Sequence, residues 1–416
     1  MPDPGLRGAE YSALIMANEK VNRPVNVRRP EVMAQVAEDL SRFQSPLVDC
    51  IRERGNELEL PGVRLFLAES FGFCDGVHRA IEIAYAACRL FKERRIWLIG
   101  EIIHNPDVNA KLDSLGLLHL PWKMDDPAYD QLTADDVVIM PAFGVPVPLR
   151  QRLDAKGVTL VDSTCGNVIK VWQRVRTYAA AGVTSIIHGK AKHEESMATA
   201  SQSLGKDGKG HFLVVFNAAD ARMVAEYING RGDRAAFMQH FAGSYSEGFD
   251  PDSHLAEIGL ANQTTMLKSE TAEIQEMLRA AMVERDGDDS RFHMFDTICS
   301  ATQDRQNALF ALLEKPLDAM FIIGGYNSSN TTHLAHIAAR KVPTFFVSTA
   351  ECLLRPQRIR CYDLEQKKEV VRPLPAWFKN QERELQIGVT AGASCPANVI
   401  EEVICRIAEL CGCAEI

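Results

Sequence analysis

Three cysteines stand apart by their surroundings. Cys74 in Phe71-Gly72-Phe73-Cys74-Asp75-Gly76-Val77, Cys165 in Asp162-Ser163-Thr164-Cys165-Gly166-Asn167 and Cys299 in Asp296-Thr297-Ile298-Cys299-Ser300-Ala301-Thr302 each close an apolar, strand-like run among small or turn-forming residues. They lie about ninety and then about one hundred and thirty positions apart, so any shared centre must be assembled by the fold rather than by a local CxxC pair. Three thiolates suit a soft metal, either zinc completed by a fourth ligand or an iron-sulfur cluster. A four-iron cluster on three cysteines leaves one iron open to bind and polarise a substrate oxygen while the cluster passes electrons. Cys395, in Ser394-Cys395-Pro396, shares the strand-end placement and on placement alone stays open as a fourth ligand. The other cysteines, such as Cys88 and Cys405 on apolar helix faces, read as small hydrophobes.

Two further constellations carry chemistry. In Gly189-Lys190-Ala191-Lys192-His193-Glu194-Glu195 a histidine and a carboxylate two residues apart follow an apolar strand, a setting for binding an anion and relaying a proton. Hydroxyl and amide clusters recur at strand ends: Asn262-Gln263-Thr264-Thr265, Asn327-Ser328-Ser329-Asn330-Thr331-Thr332 and Thr390-Ala391-Gly392-Ala393-Ser394. Taken singly each is an ordinary helix N-cap. Together with His104 in Gly100-Glu101-Ile102-Ile103-His104-Asn105-Pro106, they suit the oxygens of a diphosphate.

The elements that must position these residues are short apolar runs alternating with amphipathic helices, from Val63 onward. Val77, Ile81, Ala84, Cys88 and Phe91 mark one face of such a helix. Alternation of this kind predicts parallel sheets in α/β layers. A unit of strand, cysteine loop and helix occurs three times, which predicts three related α/β domains around a common centre. The expected division is an N-terminal extension over 1–61, a first domain over 62–163, a second over 164–297 with a loop-rich insertion at about 205–255, and a third over 298–416.

The composition sets limits. The 416 residues exceed one ordinary core. A net charge of -9 argues against nucleic acid as the main ligand, since backbone binding relies on clustered Lys and Arg. No apolar run reaches the length of a membrane span, and the acids Glu10, Glu19, Glu31, Glu38 and Asp39 count against a transit peptide. With eleven cysteines this points to a reducing cytoplasm and no membrane partner.

The set FGFCDGV, GEIIHNP, DSTCGNV, KHEES, NQTT, DTICSATQDRQ, GGYNSSNTTHL and TAGASCP, in this order from about Val63 to about Ile404, resembles the 4-hydroxy-3-methylbut-2-enyl diphosphate reductase (LytB) family, and within it the plant and cyanobacterial branch. The resemblance implies three α/β domains in a trefoil-like arrangement around one [4Fe-4S] cluster with three Cys ligands, Cys74, Cys165 and Cys299, and one open iron. Cys395 does not match a ligand position. The implied activity is two-electron reductive dehydroxylation of an allylic diphosphate, the last step of the non-mevalonate isoprenoid pathway, with ferredoxin or flavodoxin as electron donor. Glu195 would supply the proton, assisted by Thr265 or Thr264, while His104, His193, Ser328, Ser329, Asn330 and Ser394 would hold the diphosphate. One departure is visible: where many members have Ala-His-Gly, this chain has Ala142-Phe143-Gly144, so one diphosphate-contacting histidine is absent. Two rival readings remain, a redox-neutral iron-sulfur hydro-lyase and a zinc or structural three-thiolate phosphate-binding protein.

Overall fold

The computed structural model describes residues 23–413 apart from 296, 356–357, 376–377 and 379–382. Glu10 and Glu19 of the N-terminal arm and Asp296 of the third cysteine motif lie outside the described residues. Among the described residues no helix is long and apolar enough to cross a membrane.

The part of the arm that is described is not loose. The helix Pro30–Leu40 starts on a proline, whose fixed φ suits the first helical turn. It buries Val32, Val36 and Leu40 in one cluster with Ile81, Ala84 and Tyr85 of the helix Asp75–Leu90. Arg89 donates from Nε and Nη2 to the buried Asp39 carboxylate at 2.9 and 2.6 Å. The arm therefore braces the helix that begins at Cys74.

The chain then forms an antiparallel hairpin, β1 (Glu57–Leu60) and β2 (Val63–Leu67). Strands β3 (Ile96–Ile99), β4 (Leu118–Leu120), β5 (Val137–Met140) and β6 (Thr159–Asp162) make a parallel sheet in the order β4-β3-β5-β6. A second parallel sheet, in the order β10-β9-β7-β8, holds β7 (Thr184–His188), β8 (Phe212–Val215), β9 (Ile258–Asn262) and β10 (Phe292–Met294). The third contains β11 (Ala319–Ile323), β12 (Thr344–Val347) and, after a small antiparallel sheet of β13 (Leu353–Leu354), β14 (Arg358–Asp363) and β15 (Lys368–Pro373), the long β16 (Leu385–Ala391). Continuous runs such as Val137-Val138-Ile139-Met140 are buried throughout, as expected of strands covered by helices on both faces.

In two places the chain is organised differently from the sequence expectation. The third sheet runs β1-β2-β16-β11-β12, so β2, expected at the start of the first domain, pairs in parallel with β16. A division at residue 62 thus does not follow the hydrogen bonding. The apolar strand finds its parallel partner in the last strand of the described residues, and only the helix after Cys74 packs with the first sheet. In the stretch 205–255, β8 forms the edge of the second sheet, and Phe237, Phe241 and Phe249 are buried in that unit's core.

Candidate active site

Each of the three cysteines occupies the N-cap of a helix: Cys74 before Asp75–Leu90, Cys165 before Gly166–Ala180 and Cys299 before Ser300–Leu312. An apolar strand sets the entry to the loop, and the loop's small residues let the chain turn into the helix. Backbone bonds fix two of the loops from outside: Cys74 N–H donates to the Ala393 carbonyl at 3.2 Å and Cys165 N–H to that of Ala142 at 2.9 Å. Three positive helix ends thereby face one region, a setting that favours anionic sulfur.

The thiols converge. A Cβ at Gly76 would lie 2.6 Å from Cys165 Sγ and 3.9 Å from Cys74 Sγ, so only glycine leaves that space clear. Asn167, two residues past Cys165, donates its amide to Cys299 Sγ at 3.0 Å. Burial pushes the Cys74 and Cys165 thiols up, so a metal entering here displaces protons as it binds. Among the described residues the one group offering three ligand atoms within 4.8 Å of one another is His104, His193 and Glu194. At least one pair of the three sulfurs is therefore more than 4.8 Å apart, wider than the roughly 3.8 Å between two thiolates on a single tetrahedral zinc ion. They fit a larger, multinuclear group. Cys395 is excluded from them: it is 0% exposed in the apolar core of the third sheet.

Next to the thiols stands a buried acid. Glu195, in the first turn of the helix Glu194–Gln202, is 2% exposed. Its Oε1 accepts from Thr264 N–H at 2.6 Å and its Oε2 from the Thr264 hydroxyl at 3.1 Å. Burial outweighs these bonds and raises its pKa to about 7. Cys299 N–H donates to the Thr264 carbonyl at 3.3 Å, which ties the acid's partner to the thiol loop. Thr265 points elsewhere, its hydroxyl accepting from Gln263 Nε2 at 2.8 Å. Of the two threonines expected to assist, Thr264 makes the contact.

The hydroxyl loops meet on the other side. Ser394 Oγ donates to the His104 carbonyl at 3.1 Å and lies 3.5 Å from Ser328 Oγ, while Asn330 Oδ1 accepts from Ala393 N–H at 3.0 Å. Ser329 Oγ accepts from Gln263 Nε2 and from Lys190 Nζ, each at 3.3 Å. One buried donor here, Asn330 Nδ2, has no hydrogen-bond partner in the protein, which suits a site awaiting an acceptor. His104 Nδ1 lies 3.0 Å from Glu101 Oε2 and Nε2 lies 3.5 Å from Glu194 Oε2. Burial works against its charge, yet the two carboxylates prevail and raise its pKa to about 8. His193 follows the opposite course: burial, then the neighbouring His104 charge, lower it to about 3. It is the neutral helix N-cap, accepting from Glu195 N–H at its Nδ1. Phe143, in place of the absent histidine, stacks on the His104 ring at 4.2 Å and meets His193 edge-on at 5.9 Å.

Sequence reasoning gave no role to Asn167, Gln263 or Arg305, although all three sit inside the quoted motifs. Arg305 is 5% exposed and donates to the Gly72 carbonyl from Nε (3.2 Å) and Nη2 (2.5 Å), and to Ala301 from Nη1 (2.7 Å). It clips the Cys74 loop to the Cys299 helix, between one and two turns past Cys299. Charge-assisted bonds are worth about 1.5–3 kcal/mol each, and leaving a buried carbonyl orphaned costs about 1–3 kcal/mol. Arg305→Met is therefore expected to lower the melting temperature by several degrees and to reduce bound iron. Unchanged iron content and melting would show the clip to be dispensable.

With the sheets, this geometry defines a class: an α/β protein in which three helix-capping thiols, a buried acid and hydroxyl-bearing loops gather at strand ends. Residues 65–408 match the family described as LytB protein, and the chain belongs to that family. A 4-hydroxy-3-methylbut-2-enyl diphosphate reductase of Synechococcus sp. (strain RCC307) is 43% identical over 404 residues, covering 96% of each chain. The reductase of Gloeobacter violaceus (strain ATCC 29082 / PCC 7421) is 45% identical over 394 residues, covering 92% of this chain and 91% of its own. Among solved structures, a (E)-4-hydroxy-3-methyl-but-2-enyl diphosphate reductase described as the terminal enzyme of the non-mevalonate pathway is similar with TM-score 0.51 and 26% identity, over 83% of this chain and 99% of that one. The Plasmodium falciparum enzyme, at 22% identity and TM-score 0.60 over 83% and 87%, shares the fold.

Proposed function

We infer that the chain carries its relatives' activity: it converts 4-hydroxy-3-methylbut-2-enyl diphosphate to isopentenyl and dimethylallyl diphosphate, the last step of the non-mevalonate pathway. Two electrons and two protons enter, the C–O bond to the hydroxyl breaks and water leaves. The family binds an iron-sulfur cluster. The observation that carries the reading is the convergence of three helix-capping thiols beside a buried, protonatable Glu195.

We assign Cys74, Cys165 and Cys299 as the ligands of one [4Fe-4S] cluster with an open iron. When bound, such a cluster supplies electrons and a Lewis-acidic iron. The chain's own residues do the rest. Ser328, Ser329, Asn330 and Ser394, with His104 and His193, form the cradle for the diphosphate, presenting donors in a nearly dry pocket. Glu195 holds the proton that the departing hydroxyl needs, and the Thr264 hydroxyl on its Oε2 is the adjacent member of the relay. Ferredoxin or flavodoxin is the proposed donor, and the cytoplasm the proposed compartment.

The test is anaerobic purification followed by assay with the hydroxylated allylic diphosphate and a low-potential reductant. A brown protein with iron, acid-labile sulfide and reductive turnover is expected. A colourless protein containing zinc and no sulfide would sink the cluster assignment, and turnover without reductant would point to a hydro-lyase.

A further inference from the structure

Lys190 is a cation without an acidic partner in an anion site. Its loop follows β7, and three contacts hold it. Its backbone N–H donates to Gln263 Oε1 at 3.1 Å, the same oxygen receives the Ser196 hydroxyl at 3.2 Å, and Gln263 Nε2 reaches Ser329. The half-buried side chain crosses to the third sheet's unit, where Nζ donates to Ser329 Oγ at 3.3 Å. Among the described residues no carboxylate is paired with it; burial lowers its pKa, and so does a second cation, Lys367. A half-buried ammonium facing a serine, with a second cation acting on it, is stabilised by an anion that completes the group. Phe143, stacked on the His104 ring of the same cradle, offers no donor.

We propose that Lys190 is a substrate-binding residue whose ammonium pairs with the diphosphate, supplying the positive charge and donor that Phe143 lacks. The inference rests on the reductase reading. It adds a fixed cation to a cradle otherwise built of hydroxyls, an amide and imidazoles. Ser329 is its resting partner, and the same Oγ–Nζ pair can close on one phosphate oxygen as a shared donor set.

The experiment compares Lys190→Gln, Lys190→Arg and the double variant Lys190→Gln/Phe143→His with the parent holoenzyme, measuring kcat, KM, competitive inhibition by inorganic diphosphate, and cluster absorbance. Lys190→Gln should raise KM and the inhibition constant together by about ten- to one-hundred-fold, the range of one charge-assisted bond, with kcat changed less than about threefold, as for lost uniform binding. Lys190→Arg should stay within about threefold of the parent, and Phe143→His should restore part of the affinity lost in Lys190→Gln. A Lys190→Gln enzyme with unchanged KM and inhibition constant overturns the proposal. So does a loss confined to cluster content or thermal stability, which would make Lys190 a tether between units. If the parent itself retains its cluster but does not turn over the diphosphate, the reductase reading falls first and this proposal with it.

Discussion

Glu195→Gln leaves the cluster absorption and substrate affinity in place while turnover falls about 10²–10⁴-fold, the usual worth of a positioned general acid. Glutamine fits because its amide oxygen can accept the Thr264 N–H bond now made at 2.6 Å, while its NH₂ can face the Thr264 hydroxyl oxygen. What it cannot do is release a proton. The parent enzyme should show the matching pH dependence. Burial lifts the carboxyl to about 7, so it is protonated and competent below that pH, and kcat declines as pH rises through about 7. Measurement of kcat from pH 6 to 9 in parent and variant checks both points. A variant turning over within about threefold of the parent would move the proton donor elsewhere, as would a parent profile flat across this range.

Cys74→Ser, Cys165→Ser and Cys299→Ser should each lose nearly all iron, acid-labile sulfide and turnover, whereas Cys395→Ser keeps them. The thiolate is the ligand, and a serine hydroxyl neither ionises near neutrality nor matches a soft metal. The three cysteines cap three different helices, so no neighbouring thiol can substitute for a missing one. Cys395 is the internal control because its thiol is sealed in apolar packing, where a hydroxyl costs stability without touching the centre. Iron and sulfide analysis of anaerobically purified variants decides the matter. Full cluster content in one of the first three variants removes that residue from the ligand set, and loss of the cluster in Cys395→Ser returns it to the candidates.

The thiol loops were legible because each lies between an apolar run and an amphipathic helix, a local pattern that the chain carries in one short stretch. Cys395 has the same local pattern, and only its burial separates it from the other three. The choice between Thr264 and Thr265 was also beyond the sequence, because adjacent residues share composition and differ only in the direction the backbone gives their side chains. The stacking of Phe143 on His104 and the reach of Lys190 to Ser329 join residues about forty and about one hundred and forty positions apart, and no periodicity encodes such contacts. The hairpin of β14 and β15 leaves little signal in the sequence for another reason. Much of β15 faces water, which removes the apolar alternation that marks a strand.

The pairing of β2 with β16 has a consequence for when this enzyme becomes an enzyme. The two strands are about 320 residues apart in the chain. The Cys74 loop continues the same seam, with Ala68, Gly72 and Cys74 bonded to the carbonyls of Val389, Ala391 and Ala393. A contact of such high sequence separation closes late in folding. During synthesis the first two sheets can form as they emerge, but the Cys74 loop completes its backbone bonds only once β16 and the residues just after it are made. Cluster delivery is therefore a step for the finished chain, and a truncation before residue 385 should leave a protein with two well-formed sheets that takes up no iron.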